Sequence, residues 1–459
     1  MTRYESVLDA VGGTPLIRLR RTGVRARVYV KPEWYNPGAS SKDRAALAMV
    51  RRAEDEGLLG PGGTVVETTS GNTGIGLAVV AAVLGYRAVV FTSSAISREK
   101  RDLLRAHGAE VRLVDAFVPR SHPDSLRSVA ERYVAATEGA WLADQYDNPA
   151  NPEAHYRTTG PEIWADTAGS VTHLVATVGT GGTISGTGRY LKEVSGGSVE
   201  VVGADPFTSA YGGGDGSQKA VEGAGHAVHP EAEVDVWPRS FDPGVVDRFV
   251  RVGDQAAIDA LHRLAHDEGI LAGGSSGVAL VAALEVARDL DEDATVVAVL
   301  PDSGRAYLST YFDPVWLRDH GFRDDPAPHV RDALADRLTL VGRDASATEV
   351  RAATGSAAQD APVLVVHPRG GDVLPHPTDV VGWARAGDLR ATADAAPRPV
   401  RPVPLTLGAG TAAGAGLALA DARDPGWEVA LVLEEGRVAG LVARDHLVAV
   451  SRGAVLSTS

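Results

Sequence analysis

From Thr64 to Gly304 the chain repeats one pattern: a short, nearly continuous apolar run, a loop rich in glycine or hydroxyls, and a longer stretch of helical character. TVVETT is followed by GIGLAVVAAVLG, then by RAVVFTS, SREKRDLLRAHG and AEVRLVD. Similar units recur where VTHLVATVG leads into TISGTGRYLKEV and where GVALVAALEVARDL leads into ATVVAVLPDSG. Strands apolar along their whole length need helices over both faces, so the pattern predicts parallel sheets in three-layer α/β subdomains. Ligands of such sheets sit beyond the carboxyl ends of the strands. The clusters TTSGNTG, VGTGGT and PDSG fall at those ends.

A chain of 459 residues is too long for one core. After Arg323 the texture changes, and RDDPAPHVRDALADR, charged and containing proline, reads as a linker over 323–332. Beyond it, APVLVVHPRGGDVLPHPTDVVGWARAGDL and EVALVLEEGRVAGLVARDHL look alike: an apolar strand, a polar turn, a second strand with glycine, then a helix start bearing Arg and Asp. Repeated units of this kind bury their apolar faces against each other, so 333–459 is expected to form a second domain. Its uncharged stretch LTLGAGTAAGAGLALA is too short to span a bilayer and reads as a buried, small-residue segment.

Composition removes several function classes. With no cysteine there is no disulfide, thiolate metal site, cysteine nucleophile or thiolate-bound haem. A net charge of −14 argues against nucleic acid and anionic membranes as partners and favours small molecules. The opening MTRYESVLDAVGGTP has acidic residues where a signal core would be apolar, so a cytoplasmic location is expected.

Lysine is scarce: of 45 basic residues only five are lysine, and one of them, Lys42, sits in NPGASSKDR at a loop-to-helix junction. Arginine supplies charge equally well, but only a lysine amine can lose its proton and bond to a carbonyl carbon. TVGTGGTISG, at a strand end opening a helix, offers N–H groups and hydroxyls to a phosphate monoester; the plainer alternative is a tight turn. TTSGNTG similarly makes a nest for a carboxylate, or simply a capped helix start. Taken singly, Lys42 reads equally well as a surface residue beside Asp43. Together, a reactive amine, a phosphate cradle and a carboxylate nest at the loops of one α/β domain outline a cofactor site.

These three loops, with VGGTPLIRL, REKRDLLRAHGAEV, DQYDNPANPEAHYRTTGPEIW, EGILAGGSSG and LPDSGRAYLSTYF in the same order, resemble the cystathionine β-synthase and cysteine synthase family of fold-type II pyridoxal phosphate enzymes. The resemblance covers residues 4 to 322, the catalytic domain being taken as 1–322, while the two similar tail stretches resemble a degenerate tandem CBS (Bateman) module of α+β type. It implies that Lys42 is the Schiff-base lysine and also moves the Cα proton. It implies further that Asn72 bonds the cofactor's 3′ oxygen, that Gly179, Thr180, Gly181, Gly182 and Thr183 hold its phosphate, and that Ser303 faces its pyridine nitrogen. A neutral hydroxyl there leaves the nitrogen unprotonated, a milder electron sink suited to β-replacement. Thr69, Ser70, Thr73 and Gln145 are the implied substrate-carboxylate contacts, and Gly223 and His226 the implied neighbours of the second substrate.

Several positions depart from the family's pattern. Ala39 stands where two glycines usually follow NP, Thr68 replaces the proline of the nest's lead-in, and His226 occupies a position that often holds another side chain. No haem-binding extension is present, and haem is not expected. His226 and His229 lack a third ligand, so no metal site is expected. The first tail copy keeps Asp388 but has Arg385 where adenosyl-binding modules place threonine, and the second has Ala443 and His446, which favours a structural or dimerising role. The expected function is cystathionine synthesis from L-serine and L-homocysteine by a homodimer or higher homo-oligomer. The alternatives are cysteine synthesis from O-acetylserine and sulfide, β-substitution with another nucleophile, and a ligand sensor whose enzyme-like domain is silent.

Overall fold

The computed structural model describes residues 3–452 apart from 70, 95, 116–117, 325–328, 335–337, 356, 368–373, 392–399 and 404. The chain divides into two compact units, residues 1–216 with 221–309, and residues 217–220 with 310–459.

The first unit carries two sheets. In the smaller, the strands lie in the order Glu110–Leu113, Arg87–Thr92, Thr64–Thr68 and Ala140–Leu142, all parallel. The larger runs Ile17–Arg18, Arg27–Pro32, Thr295–Leu300, His173–Thr177, Glu200–Pro206 and Arg248–Val252. Its neighbours are parallel except at the Ile17–Arg18 edge, because the segment 19–26 is shorter than the dozen or so residues that a parallel crossover takes. Each apolar run singled out between 64 and 300 forms a strand, and each helical stretch a helix.

Central strands are buried along their length, with Thr295–Leu300 buried at all its positions. The helices Asn72–Leu84 and Gly274–Ala287 are apolar around most of their circumference, which fits helices packed between a sheet and further helices. One polar cluster breaks this interior. Arg44 is fully buried and donates to Glu33 at 2.7 and 2.9 Å and to Glu162 at 2.6 and 2.7 Å, while buried Lys31 pairs with Glu162 at 3.0 Å. Burial of these charges is tolerated because each faces an opposite one, and the cluster anchors the first turn of the helix Lys42–Asp55.

The second unit shows one motif twice. Leu340–Gly342, helix Ala347–Thr354, Pro362–Val366, Val380–Arg385 and helix Ala386–Ala391 make the first copy. Thr406–Gly408, helix Ala413–Arg423, Val429–Glu434, Arg437–Ala443 and helix Arg444–Ser451 make the second. In both, the first strand is parallel and the third antiparallel to the second, and the register slips at one point, Val365/Val366 and Val432/Leu433. The small-residue segment forms the first strand and helix of the second copy, with Leu407, Ala409, Ala413 and Ala420 buried. Within 323–332, read from sequence as a linker, Val330 is buried in that copy's core. Among the described residues no helix is long and apolar enough to cross a membrane.

Candidate active site

Lys42 is the first residue of its helix, and the loop before it is tied to the end of the strand Thr295–Leu300. The Ser41 N–H donates to the carbonyl of Pro301 at 2.8 Å, and Ser40 makes an antiparallel bridge with Asp302. Within the loop, the Asp43 carboxylate accepts the Gly38 N–H at 2.5 Å, and Ala39 takes a left-handed backbone with φ 63°. This places Lys42 in the wall of a narrow cleft, with Gly179, Thr180, Gly181, Thr183 and Gly223 among the other wall residues. Buried Lys31 and Lys100 are both ion-paired, at 3.0 Å to Glu162 and 2.6 Å to Glu222. Lys42 has no ion pair among the described residues, and burial pushes its amine below the usual lysine value against the opposing pull of Asp302 and Glu33. An amine held this way is poised to act as a nucleophile and base.

Opposite it, the loop after the strand His173–Thr177 opens the helix Gly182–Val194. Its glycines are required by space. A side chain at Gly179 would stand 2.8 Å from the Gly223 carbonyl, one at Gly181 (φ 84°) would collide with Phe241, and one at Gly182 with Asn151. The free N–H groups of this helix start and its dipole favour an anion. Both threonines are oriented from behind by residues four apart on the helix Ala150–Arg157. The Asn151 amide donates to Thr180 Oγ1 at 2.9 Å, leaving the threonine's own hydrogen for another acceptor. His155 bridges Thr183 at 3.1 Å and Thr159 at 2.9 Å, and burial holds its imidazole well below the usual value, hence neutral. Asn151 and His155 are site residues that sequence reasoning missed; their signal was the four-residue spacing of two polar residues in NPEAHY.

The nest forms at the start of the helix Asn72–Leu84. Thr69 Oγ1 accepts the Gly71 N–H at 3.1 Å, and the buried Thr73 hydroxyl donates to Gln145 Oε1. Beneath them the buried Glu67 accepts the Thr68 N–H at 2.7 Å and the Gln145 N–H at 3.1 Å, tying the two segments together. Burial pushes the Glu67 carboxyl up to about 8. The Asn72 amide donates to Asp302 at 2.7 Å. Ser303 lies just beyond the wall residue Pro301, bridged to Ala272, and its Oγ accepts the Arg305 N–H at 3.3 Å. Ser70 lies outside the described residues.

The cleft wall thus brings together Lys42, Gly179, Thr180, Gly181, Thr183 and Gly223. Asn72 and Ser303 adjoin it through Asp302 and Pro301, while Thr69, Thr73 and Gln145 form a cluster on the other sheet's loops. His226 stacks on Tyr211 at 5.1 Å and pairs with Asp235 at 2.5 Å. His229 accepts the Glu231 N–H, and among the described residues no cluster of three His, Asp or Glu is placed for a metal.

An amine without an ion pair among the described residues, facing a glycine cradle with two pre-oriented hydroxyls, suits a phosphorylated aldehyde, and residues 7–302 match the model of the pyridoxal-phosphate dependent enzymes. The chain belongs to this family. It is 41% identical to a cystathionine β-synthase of Apis mellifera over 69% of this chain and 63% of that protein's length. It is 40% identical to cysteine synthase 1 of Emericella nidulans, over 70% of this chain and 88% of the relative. Among solved structures, an O-ureido-L-serine synthase superposes with a TM-score of 0.62 at 40% identity, covering 68% of this chain and 96% of that one. The chain is therefore a pyridoxal phosphate-dependent β-replacement enzyme of the cystathionine β-synthase and cysteine synthase type.

Proposed function

We propose that the chain joins L-homocysteine to the β-carbon of L-serine, giving cystathionine. The observation that carries the chemistry is Lys42, half-buried and without an ion pair among the described residues, in the wall opposite the phosphate loop. The cofactor, when bound, supplies the electron sink that lets the substrate's Cα–H bond ionise. Lys42 would anchor it, and its amine, when free, would take the Cα proton and later deliver a proton back to Cα. Gly179 to Thr183 hold the phosphate through N–H groups and the two threonine hydroxyls. Asn72 bonds the ring oxygen. Ser303 gives the ring nitrogen a neutral hydroxyl, whose hydrogen is left available because its oxygen accepts from Arg305. Thr69, Ser70, Thr73 and Gln145 receive the substrate carboxylate.

Homocysteine is favoured over sulfide by the long chain, which continues past the family match into the duplicated second unit, and by the Apis mellifera relative, which also extends well beyond its matched part. The second unit is read as a tandem CBS module over 333–459, serving assembly of a homo-oligomer in the cytoplasm. Cysteine synthesis is the second reading, supported by relatives of that name at similar identity.

The test offers purified enzyme serine or O-acetylserine, each with homocysteine or sulfide, and analyses the products. Cystathionine is expected, and Lys42→Ala abolishes both product and covalently held cofactor absorbance. Cysteine as the dominant product from every donor overturns the homocysteine assignment.

A further inference from the structure

The loop from 226 to 235 closes on itself through a pair of side chains that the site described above does not use. His226 Nε2 and Asp235 Oδ1 are 2.5 Å apart, and the other Asp235 oxygen accepts the Trp237 indole N–H at 2.8 Å, so the carboxylate is fixed at both ends. The histidine backbone is fixed independently. Its N–H donates to the buried Ser209 hydroxyl at 2.8 Å, and its carbonyl accepts the Ala210 N–H at 3.0 Å. The ring lies against Tyr211 with 28° between planes, and the Tyr211 hydroxyl donates at 2.9 Å to the carbonyl of Gly179 in the cleft wall. Gly223, three residues earlier, is in the same wall, and the Gly225 N–H bonds the Val178 carbonyl.

An imidazole that donates one nitrogen to a fixed carboxylate presents a basic lone pair on the other. Among the described residues His226 Nδ1 has no hydrogen-bond partner, and the side chain is 17% exposed. A loop staple would need only a donor to Asp235, and the backbone bonds already hold this position. Among the described residues, the titratable groups in contact with the ring are Asp235 and Tyr211.

We propose that His226, oriented by Asp235, is the base that takes the proton of the incoming nucleophile, so that the second substrate is a thiol arriving protonated. The inference rests on the proposed β-replacement. The thiol S–H bond breaks and its proton goes to Nδ1, while the sulfur electron pair forms the bond to the β-carbon after the β-oxygen has left. When serine is the donor, the proton that Lys42 took from Cα goes to the oxygen leaving as water, and the thiol's proton, taken up by His226, restores the Cα–H bond by way of the Lys42 amine. With an acylated donor, one proton is released to solvent.

The two halves of the reaction separate in stopped flow on the full-length holoenzyme. Adding serine or O-acetylserine changes the cofactor spectrum, and adding homocysteine reverses the change. In His226→Gln, which keeps a donor for Asp235, the first phase is expected to stay within about twofold, and the second to slow roughly 10²–10⁴-fold, the usual worth of a general base. The deficit shrinks as pH rises and the thiol ionises unaided. Asp235→Asn is expected to slow the second phase less, Trp237→Phe least. A second phase equal to wild type at every pH, or both phases slowed alike in His226→Gln and in Asp235→Asn, overturns the inference. If His226→Gln does not fold, Asp235→Asn alone decides by the same two phases. A wild-type enzyme with no spectral response to any donor refutes the β-replacement reading instead.

Discussion

Asn72 donates its side-chain amide to one oxygen of Asp302 at 2.7 Å, across the two sheets of the first unit. The same oxygen accepts the Tyr307 hydroxyl at 2.6 Å, and Asp302 is 98% buried just past the end of the strand Thr295–Leu300, between Pro301 and Ser303. Asp302→Ala removes this acceptor from both donors, at about 1–3 kcal/mol for each group left unsatisfied. A lower Tm and weaker cofactor retention are expected, and Asp302→Asn falls between. Thermal melts and visible absorbance after dialysis check this.

The phosphate cradle is expected to depend on residues that never touch the phosphate. Asn151→Ala releases the Thr180 hydroxyl from its orienting bond, a loss of about 1 kcal/mol that lowers cofactor affinity roughly fivefold. Titration of the apoenzyme with pyridoxal phosphate measures it, and an unchanged affinity shows that Thr180 needs no such support.

Two buried carboxyls set a pH dependence of stability. Burial raises Glu67 to about 8 and Asp43 to about 7. A carboxyl whose folded value lies above its unfolded one stabilises fully below the unfolded value, and that stability is lost as pH rises through the folded value. Stability is therefore expected to fall between about pH 5 and 8, by an amount of order a few kcal/mol. Glu67→Gln flattens part of this slope, and melts from pH 5 to 9 compare the two chains.

At Ala39 the left-handed backbone costs an L residue about 1–2 kcal/mol. Ala39→Gly removes that cost, partly offset by about 0.4–1 kcal/mol of extra entropy in the unfolded chain. A net gain of between about 0 and 1.6 kcal/mol is expected in denaturant titration.

Much of the site was legible because its loops are local. Strand ends, glycine clusters and a lysine where the chain prefers arginine are features of contiguous sequence, and the fold sets them around one cleft. The family's two-glycine preference after NP also gains a physical cause in the backbone of Ala39. What the sequence hid were partnerships across long separations. Nothing near Asn72 points to Asp302, 230 residues on, and Glu67 looks like one acid in an apolar strand until its bonds to Thr68 and Gln145 are seen. The duplicated tail was visible as a faint similarity because topology and register, which the copies share, constrain which residue fills each position far less than active-site chemistry does.

The collision awaiting any side chain at Gly181 has a consequence for how this enzyme can change. Phe241, which blocks that space, also packs against Tyr211 at 4.9 Å and Trp237 at 5.7 Å, the neighbours of His226. Positions 181 and 241 therefore form one constraint shared by the anion loop and the aromatic wall. A lineage that reshapes the wall by shrinking Phe241 still leaves its Cβ and backbone Cα against position 181, whose left-handed backbone also disfavours a side chain, so the aromatic wall can change on the way to a new nucleophile while residue 181 stays glycine.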